Sequence, residues 1–312
     1  MASPWDNGAP PESAASMLFL RVALISLLIV LSTVLHVVPL LLTALIKALL
    51  PFKRLRLACN TVLTGIAESW IGVNSGLWDR FTRTRMHVRE EAAPALDGHY
   101  LVLANHQSWV DILVLQKLFN RRAPFMRFFL KQELFWVPLL GLAWWALDFP
   151  FMRRYTPKQI AKRPELGGRD IEATRRACEK FREIPVSIMN FVEGTRYTAD
   201  KHAAQGSPYR HLLKPKSGGV AFVLDAMGAG LDAILDVTIA YPGGAPSLLD
   251  LIADRIPEVR VRVRQRAIPA ELLRGDYQND PEFRTRFQQW MNALWSEKDA
   301  DMAGLLADTA QS

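Results

Sequence analysis

The stretch Tyr100-Leu101-Val102-Leu103-Ala104-Asn105-His106-Gln107-Ser108-Trp109-Val110-Asp111 decides the reading of this chain. The apolar run Tyr100–Ala104, bounded by Gly98, reads as a buried strand. The segment from Ser108 to Phe119 reads as a helix, with Ser108 as N-cap and Asp111 in the first turn. His106 therefore sits at a strand-to-helix corner, where a side chain can face a cleft. Asp111 is near enough to bond one ring nitrogen and fix the tautomer. The other nitrogen is then free to accept a proton from a substrate hydroxyl, the task of a general base. A plainer reading coexists with this one: Ser108-x-x-Asp111 is a capping box, and His106 a surface residue.

Outward from this corner, helices and strands alternate. A Pro- and Gly-punctuated apolar stretch covers Phe125 to Phe151, and a basic loop spans Arg153 to Arg169. A helix is expected over Asp170–Glu183 and a strand over Val186–Val192. A polar loop follows from Tyr197 to Arg210, then a helix over Ser217–Met227 and a strand over Leu235–Tyr241. Val259-Arg260-Val261-Arg262-Val263-Arg264 alternates strictly, which predicts a strand with Val inward and Arg outward. Asp280-Pro281 is a strong helix start, and Phe283, Phe287, Trp290, Met291, Leu294 and Trp295 share one face. This alternation argues for an α/β layer fold.

The 312 residues carry 38 Lys and Arg against 31 Asp and Glu, a net charge of +7. The balance favours anionic partners such as a phospholipid surface or a phosphorylated substrate. No nucleic-acid-binding motif and no metal-type cysteine pair occurs, so neither nucleic acid nor a metal site is expected. Cys59 and Cys178 are too few for a disulfide framework and read as structural residues in a reducing compartment. Trp70, Trp78, Trp136, Trp144 and Trp145 flank apolar segments, which suits a membrane interface and core packing equally.

Residues 1–16 are rich in Pro, Ser and Ala and are expected to be disordered. Val22 to Ile46 contains no Asp, Glu, Lys or Arg and is long enough to span a hydrocarbon core. Lys47, Lys53, Arg54 and Arg56 follow, so the C-terminal side is expected in the cytoplasm, at the cell inner membrane. A second helix is expected from Leu55 to Phe81. Its apolar stripe of Leu55, Cys59, Val62, Ile66, Trp70, Val73, Leu77 and Phe81 faces either the core or the bilayer.

A hydroxyl that attacks a carbonyl needs a base to take its proton and donors for the oxyanion that develops. His106 and Asp111 supply the first. Backbone N–H groups at the start of the Ser108 helix are candidates for the second. No G-x-S-x-G elbow occurs, so a serine nucleophile has no support. Glu193-Gly194-Thr195-Arg196 leaves a strand for a loop, the usual place for binding residues. Arg196 can grip a phosphate bidentately, Gly194 lets the backbone approach a ligand, and Glu193 can bond a hydroxyl or hold Arg196. In isolation this motif reads first as a Gly turn with a surface ion pair. Gly228-Ala229-Gly230 ends a helix and carries little weight as a nucleotide fingerprint.

In these residues the chain resembles the glycerolipid acyltransferases of the 1-acylglycerol-3-phosphate acyltransferase type, in a bacterial membrane-bound branch. Asn105-His106-x4-Asp111 stands as the first of that family's four ordered blocks. Lys131–Gly141, running on to Phe151-Met152-Arg153-Arg154, resembles the second. Phe191–Arg196 resembles the third, and Leu213–Gly219 with the strand to Pro242 the fourth. Val192 departs from the family's common Pro, and Met152-Arg153 from its Ile-Asp. The resemblance implies a central mixed sheet flanked by helices in a catalytic domain over residues 86–297, behind membrane-anchoring helices over 17–85, with a tail from 298 to 312. It implies acyl transfer from acyl-CoA or acyl carrier protein to lysophosphatidic acid or another lysophospholipid, without a cofactor. It also makes Lys131, Arg154 and Lys216 candidate anion-binding residues. Family members commonly hold to one leaflet by an N-terminal two-helix motif, so a re-entrant or monotopic anchor stands beside a true span. Two other classes remain: a non-catalytic lipid-binding protein, which has no use for a base and its orienter, and a thioester hydrolase, which would release free fatty acid without an acceptor.

Overall fold

The computed structural model of the chain describes residues 12–50, 52–152, 169–273 and 275–308. Arg154 and most of the expected 153–169 loop lie outside the described residues, as do positions 1–11 of the expected disordered N-terminus. Two long helices come first, α1 (Glu12–Leu49) and α2 (Lys53–Phe81). The main sheet contains β1 (Arg85–Glu90), β2 (His99–Ala104), β3 (Met126–Phe128), β6 (Val186–Phe191), β7 (Ala233–Ala240) and β8 (Glu258–Arg266). Between them, β4 (Leu130–Lys131) and β5 (Phe151–Met152) form a separate pair. The strand order is β1-β8-β7-β2-β6-β3, and only β7 and β8 run antiparallel. The sheet is therefore mixed, as expected.

β2 lies inside the sheet because its sequence is apolar on both faces. Leu101 and Leu103 join the core beneath α5 (Arg169–Phe181), α7 (Gly218–Met227) and α9 (Pro281–Ala307). Tyr100, Val102 and Ala104 join the opposite core with α3 (Val110–Phe119) and Trp78 of α2. The Cys178 thiol is buried in the first of these cores, and burial pushes it up to about 12. β2 and β6 are parallel with Ala104 beside Phe191, so the loops that leave them emerge at one end of the sheet. That end is where ligands bind in open α/β sheets.

Several expectations require correction. The tail from residue 298 is instead helical to Ala307, with Lys298, Asp301, Met302 and Leu305 buried. α9 crosses the arginine face of β8, so those arginines do not point into solvent. Arg260 is buried and donates to the Leu305 carbonyl, and Arg262 and Arg264 pair with Asp301. The buried Lys298 ammonium pairs with Asp236 and donates to the Val237 carbonyl at 2.6 Å. The loop 197–210 contains α6 (Ala199–Gln205), capped by the Thr198 side chain and ended by Gly206 in the left-handed region. β1, which alternates in burial at the sheet edge, was not expected at all. In α2 the buried stripe is Cys59, Leu63, Ala67, Ile71 and Trp78, while Val62 and Val73 are exposed. Of this stripe, Leu63 and Ala67 pack with Val37, Leu40 and Ala44 of α1.

α1 packs along α2 through apolar side chains and two polar contacts. His36 lies 2.7 Å by Nδ1 from the Ser32 carbonyl and 3.1 Å by Nε2 from Ser69 Oγ. Trp70 Nε1 donates to Thr33 Oγ1 at 3.1 Å. Both ends of α1 also meet the domain that carries the sheet. Near its start, Arg21 donates to the Phe81 and Ile252 carbonyls and faces Asp254. Near its end, Lys47 pairs with Asp148 at 2.8 Å. Among the described residues one helix is long and apolar enough to cross a membrane, Ser16–Leu49 of α1, and little of it is buried.

Candidate active site

Asn105 ends β2 in a way that presents the next residue. Its side-chain amide donates to the Ile239 carbonyl and accepts from the Ile239 N–H, both at 2.9 Å. The side chain thus replaces a strand partner on β7, and the main chain turns off the sheet at His106. Ser108 holds the far side of this turn. Its hydroxyl donates to the Pro246 carbonyl and accepts from the Val110 N–H. α3 starts at Val110 with Trp109 in the N-cap position, one residue later than the expected N-cap at Ser108 implies.

Asp111 is completely buried, and donors meet it on both oxygens. Oδ2 accepts from His106 Nδ1 at 2.9 Å, from the Gln107 N–H at 2.7 Å and from the Ser108 N–H at 2.8 Å. Oδ1 accepts from the Tyr241 hydroxyl at 2.7 Å. The carboxylate therefore completes the helix start and orients the histidine at once. Burial, and then the Asp111 charge, hold the Tyr241 phenol well above its ordinary value, so it remains a neutral donor. Because a carboxylate can only accept, His106 Nδ1 carries the proton and Nε2 of the neutral ring is an acceptor.

The His106 ring stacks on Phe191 with centroids 3.9 Å apart and planes within 15°. Phe191 in turn faces Phe128 of β3. No partner meets His106 Nε2 among the described residues, and 13% of the side chain remains accessible. The ring is thus fixed on one face and at one nitrogen, and open at the other nitrogen.

The Glu193–Arg196 turn packs against this loop. Gly194 takes a φ of 68°, a left-handed conformation that suits glycine. The Tyr197 N–H donates to the His106 carbonyl at 2.7 Å. Glu193 is fully buried: Oε1 accepts from the His106 N–H at 3.2 Å and Oε2 from the Leu213 N–H at 3.4 Å. It therefore stands behind the histidine loop, paired with neither Arg196 nor an open surface. Burial pushes its carboxyl up to about 8, against the lowering effect of the two amides. Thr195 Oγ1 and the Arg196 carbonyl both accept from Lys201 Nζ at 2.9 Å. The Arg196 guanidinium is exposed and lies over the Trp109 ring, 4.9 Å from its centroid. No carboxylate pairs with it among the described residues.

A family model described as Acyltransferase matches residues 83–242, just over half of the chain. This chain belongs to the acyltransferase family. A Mus musculus protein named 1-acyl-sn-glycerol-3-phosphate acyltransferase gamma is 29% identical over 213 residues, covering 65% of this chain and 52% of that protein. A Saccharomyces cerevisiae protein named 2-acyl-1-lysophosphatidylinositol acyltransferase is 24% identical over 243 residues, covering 66% and 61%. The chain thus spans little more than half the length of the curated relatives it matches. The crystal structure of the 1-acyl-sn-glycerophosphate (LPA) acyltransferase PlsC from Thermotoga maritima has the same fold, with a TM-score of 0.55 at 15% identity. That match covers 92% of this chain and 98% of the other.

Two of the other expected site residues, Lys131 and Lys216, are among the described residues. Lys131 is exposed on β4, and Lys216 is exposed at the start of α7, where its N–H donates to the Val192 carbonyl at 2.8 Å. Neither side chain is joined by a hydrogen bond or ion pair to the His106 loop among the described residues. Oxyanion donors were expected among the N–H groups at the helix start; there the Gln107 and Ser108 N–H groups meet Asp111, and the Val110 N–H meets the Ser108 hydroxyl. No group of three or more His, Cys, Asp and Glu able to hold a metal occurs among the described residues. Four contributors escaped the reading of the sequence. Asn105 and Trp109 lie inside the His106 segment. Phe191 ends β6 and Tyr241 directly follows β7, and their roles arise from contacts distant in sequence.

Proposed function

We propose that this chain is a membrane-associated O-acyltransferase that moves a fatty acyl group from acyl-CoA or acyl carrier protein to the free hydroxyl of a lysophospholipid, with lysophosphatidic acid the first choice. The observation that carries this reading is the 2.9 Å contact between His106 Nδ1 and Asp111, which leaves Nε2 open as a base. The acceptor oxygen attacks the thioester carbonyl as Nε2 takes its proton. The tetrahedral intermediate then collapses, the carbon–sulfur bond breaks, and the thiolate leaves with that proton. Asp111 stabilises the imidazolium that exists between the two transfers. Arg196, free of a carboxylate and lying on Trp109 at the rim of this loop, is the residue we assign to the acceptor phosphate. Lys131, Arg154 and Lys216 are secondary anion contacts in the same proposal. A different lysophospholipid acceptor is the second reading, favoured by the name of the yeast relative.

The membrane reading rests on α1. From Arg21 to Lys47 the helix rises about 39 Å, more than the roughly 30 Å of a hydrocarbon core. Both of these residues are tied to the sheet-bearing domain, which supports a helix lying along that domain over a true span. Its outward face, including Leu24, Leu31, Leu35, Val38, Leu42 and Leu45, would then rest in one leaflet. Lys47 is occupied by Asp148, so Lys53, Arg54 and Arg56, all exposed, are the cations left for anionic cytoplasmic headgroups.

The test is purified full-length chain with a panel of lysophospholipids and both donor types, read by mass spectrometry. Diacyl product that forms with lysophosphatidic acid and vanishes in His106→Ala is the expected result. Free fatty acid without acylated acceptor would replace transfer by hydrolysis.

A further inference from the structure

The segment after β4 is built with its larger side chains outward. A short 3-10 turn, Gln132–Trp136, leads through Pro138 into α4, Leu140–Ala146. Inward, Ala143, Ala146 and Leu147 pack with Val37, Leu40 and Ala44 of α1 and with Leu63 and Ala67 of α2. Outward stand Trp136, 80% exposed, Trp145 at 55%, Leu142 at 46% and Leu139 at 43%. α4 itself, Leu-Gly-Leu-Ala-Trp-Trp-Ala, contains no polar side chain. A surface helix in water normally shows the opposite arrangement.

The backbone enforces this display. Leu139 has a φ of 64°, a left-handed conformation that a leucine adopts only at a cost. A Cβ at Gly141 would lie 1.8 Å from the Phe135 carbonyl oxygen, so the turn needs glycine there to fold back on itself. The Gly141 N–H closes the turn on the Val137 carbonyl at 2.9 Å. A strained turn that delivers a leucine and two indoles to water gains nothing from water.

The patch continues another apolar face. α4 lies against the C-terminal half of α1, and the Lys47–Asp148 pair fastens α1 just past the end of α4. On that half of α1, Val38, Leu42, Leu45 and Leu49 are exposed. Exposed Lys131 stands one residue before the turn, and exposed Lys53 and Arg54 begin α2. Indoles beside apolar side chains and cations are the composition of a membrane-interface element.

We propose that residues 136–145 are a second membrane-contacting element, an apolar wedge that enters the headgroup and upper acyl region beside α1. The occupant of this face is a lipid bilayer. The inference rests on the membrane reading of α1 given above, and its test separates the two.

Cys59 and Cys178 are buried, so a cysteine introduced at the surface can be labelled selectively. Full-length Trp136→Cys, Leu142→Cys, Leu42→Cys and Gln289→Cys would each carry an environment-sensitive fluorophore and be mixed with vesicles of neutral and anionic phospholipid. We expect a blue shift and quenching by spin-labelled lipid at 136, 142 and 42, and neither at 289 on the exposed side of α9. A response at 42 with none at 136 or 142 overturns the wedge and leaves the α1 reading standing. Silence at all four positions overturns both. A blue shift at 136 that grows with protein concentration without vesicles assigns the face to a second copy of the chain and overturns the proposal. As a second measurement, Trp136→Ser with Trp145→Ser should weaken vesicle binding about tenfold or more. Turnover of a short-chain, water-soluble acceptor should be unchanged. Undiminished vesicle binding in that variant also overturns the wedge.

Discussion

Asp111→Asn isolates the electrostatic part of the proposed chemistry, because the structure lets asparagine fit. With its carbonyl at the Oδ2 position, it still accepts from His106 Nδ1 and from the Gln107 and Ser108 N–H groups. Its NH2 then meets the Tyr241 oxygen, and the hydroxyl can rotate to accept. The opposite orientation sets donor against three donors and is rejected. Folding should therefore weaken by only about 1–3 kcal/mol, as charge-assisted bonds become neutral ones. What is lost is the negative charge beside the imidazolium. For charges about 4 Å apart at an effective dielectric near 20, that attraction is about 4 kcal/mol. At 1.36 kcal/mol per decade it predicts a kcat lower by roughly 10³-fold, with both KM values nearly unchanged. Tyr241→Phe, which removes only the Oδ1 donor, should fall between the variant and wild type. The assay is thiol release from acyl-CoA in the presence of lysophosphatidic acid, with urea unfolding run on the same samples. An Asp111→Asn enzyme that folds normally and keeps kcat within about tenfold of wild type would refute the argument.

Two further predictions follow from the Glu193–Arg196 turn. Arg196→Ala should raise the acceptor KM more than it lowers kcat, since phosphate binding is largely common to ground and transition states, and Arg196→Lys should restore it only in part. Steady-state kinetics with lysophosphatidic acid checks this, and an unchanged acceptor KM sinks the assignment. For Glu193, the folded-state value of about 8 lies above the unfolded value near 4.5. The folded chain thus holds a proton that the unfolded chain has released, so this contribution is complete below about pH 4.5 and is lost as pH rises through 8. The full span is on the order of 5 kcal/mol. Glu193→Gln should flatten the fall in urea stability between pH 5 and pH 8, and parallel curves for the two proteins would rule out Glu193 as its source.

What the sequence disclosed was local. The β2-to-α3 corner, the Asp280 cap with Pro281, and the valine face of β8 each follow from residues within a few positions of one another. α6 was missed although its signals were present, a capping Thr198 and a closing Gly206. The arginine face of β8 was misread for another reason: alternation shows that two faces differ, not that one is wet. α9 covers that face, and Asp301 and Glu297 reach it from 31 to 39 residues along the chain.

Glu193 makes the same point within the site. Beside Arg196 in sequence, it reads as a ligand or an ion-pair partner. Its side chain turns the other way, to the amide of His106, brought near by the parallel pairing of β2 and β6, and to the amide of Leu213, 20 residues further along the chain. The turn that follows β6 accounts for the division of labour. Glu193, in the turn just past β6, is buried, while Gly194 with its positive φ redirects the chain so that Arg196 lies over Trp109. One short turn thereby serves two needs of the proposed transfer. It braces the loop that holds the base, and it sets a free guanidinium at the rim of that loop.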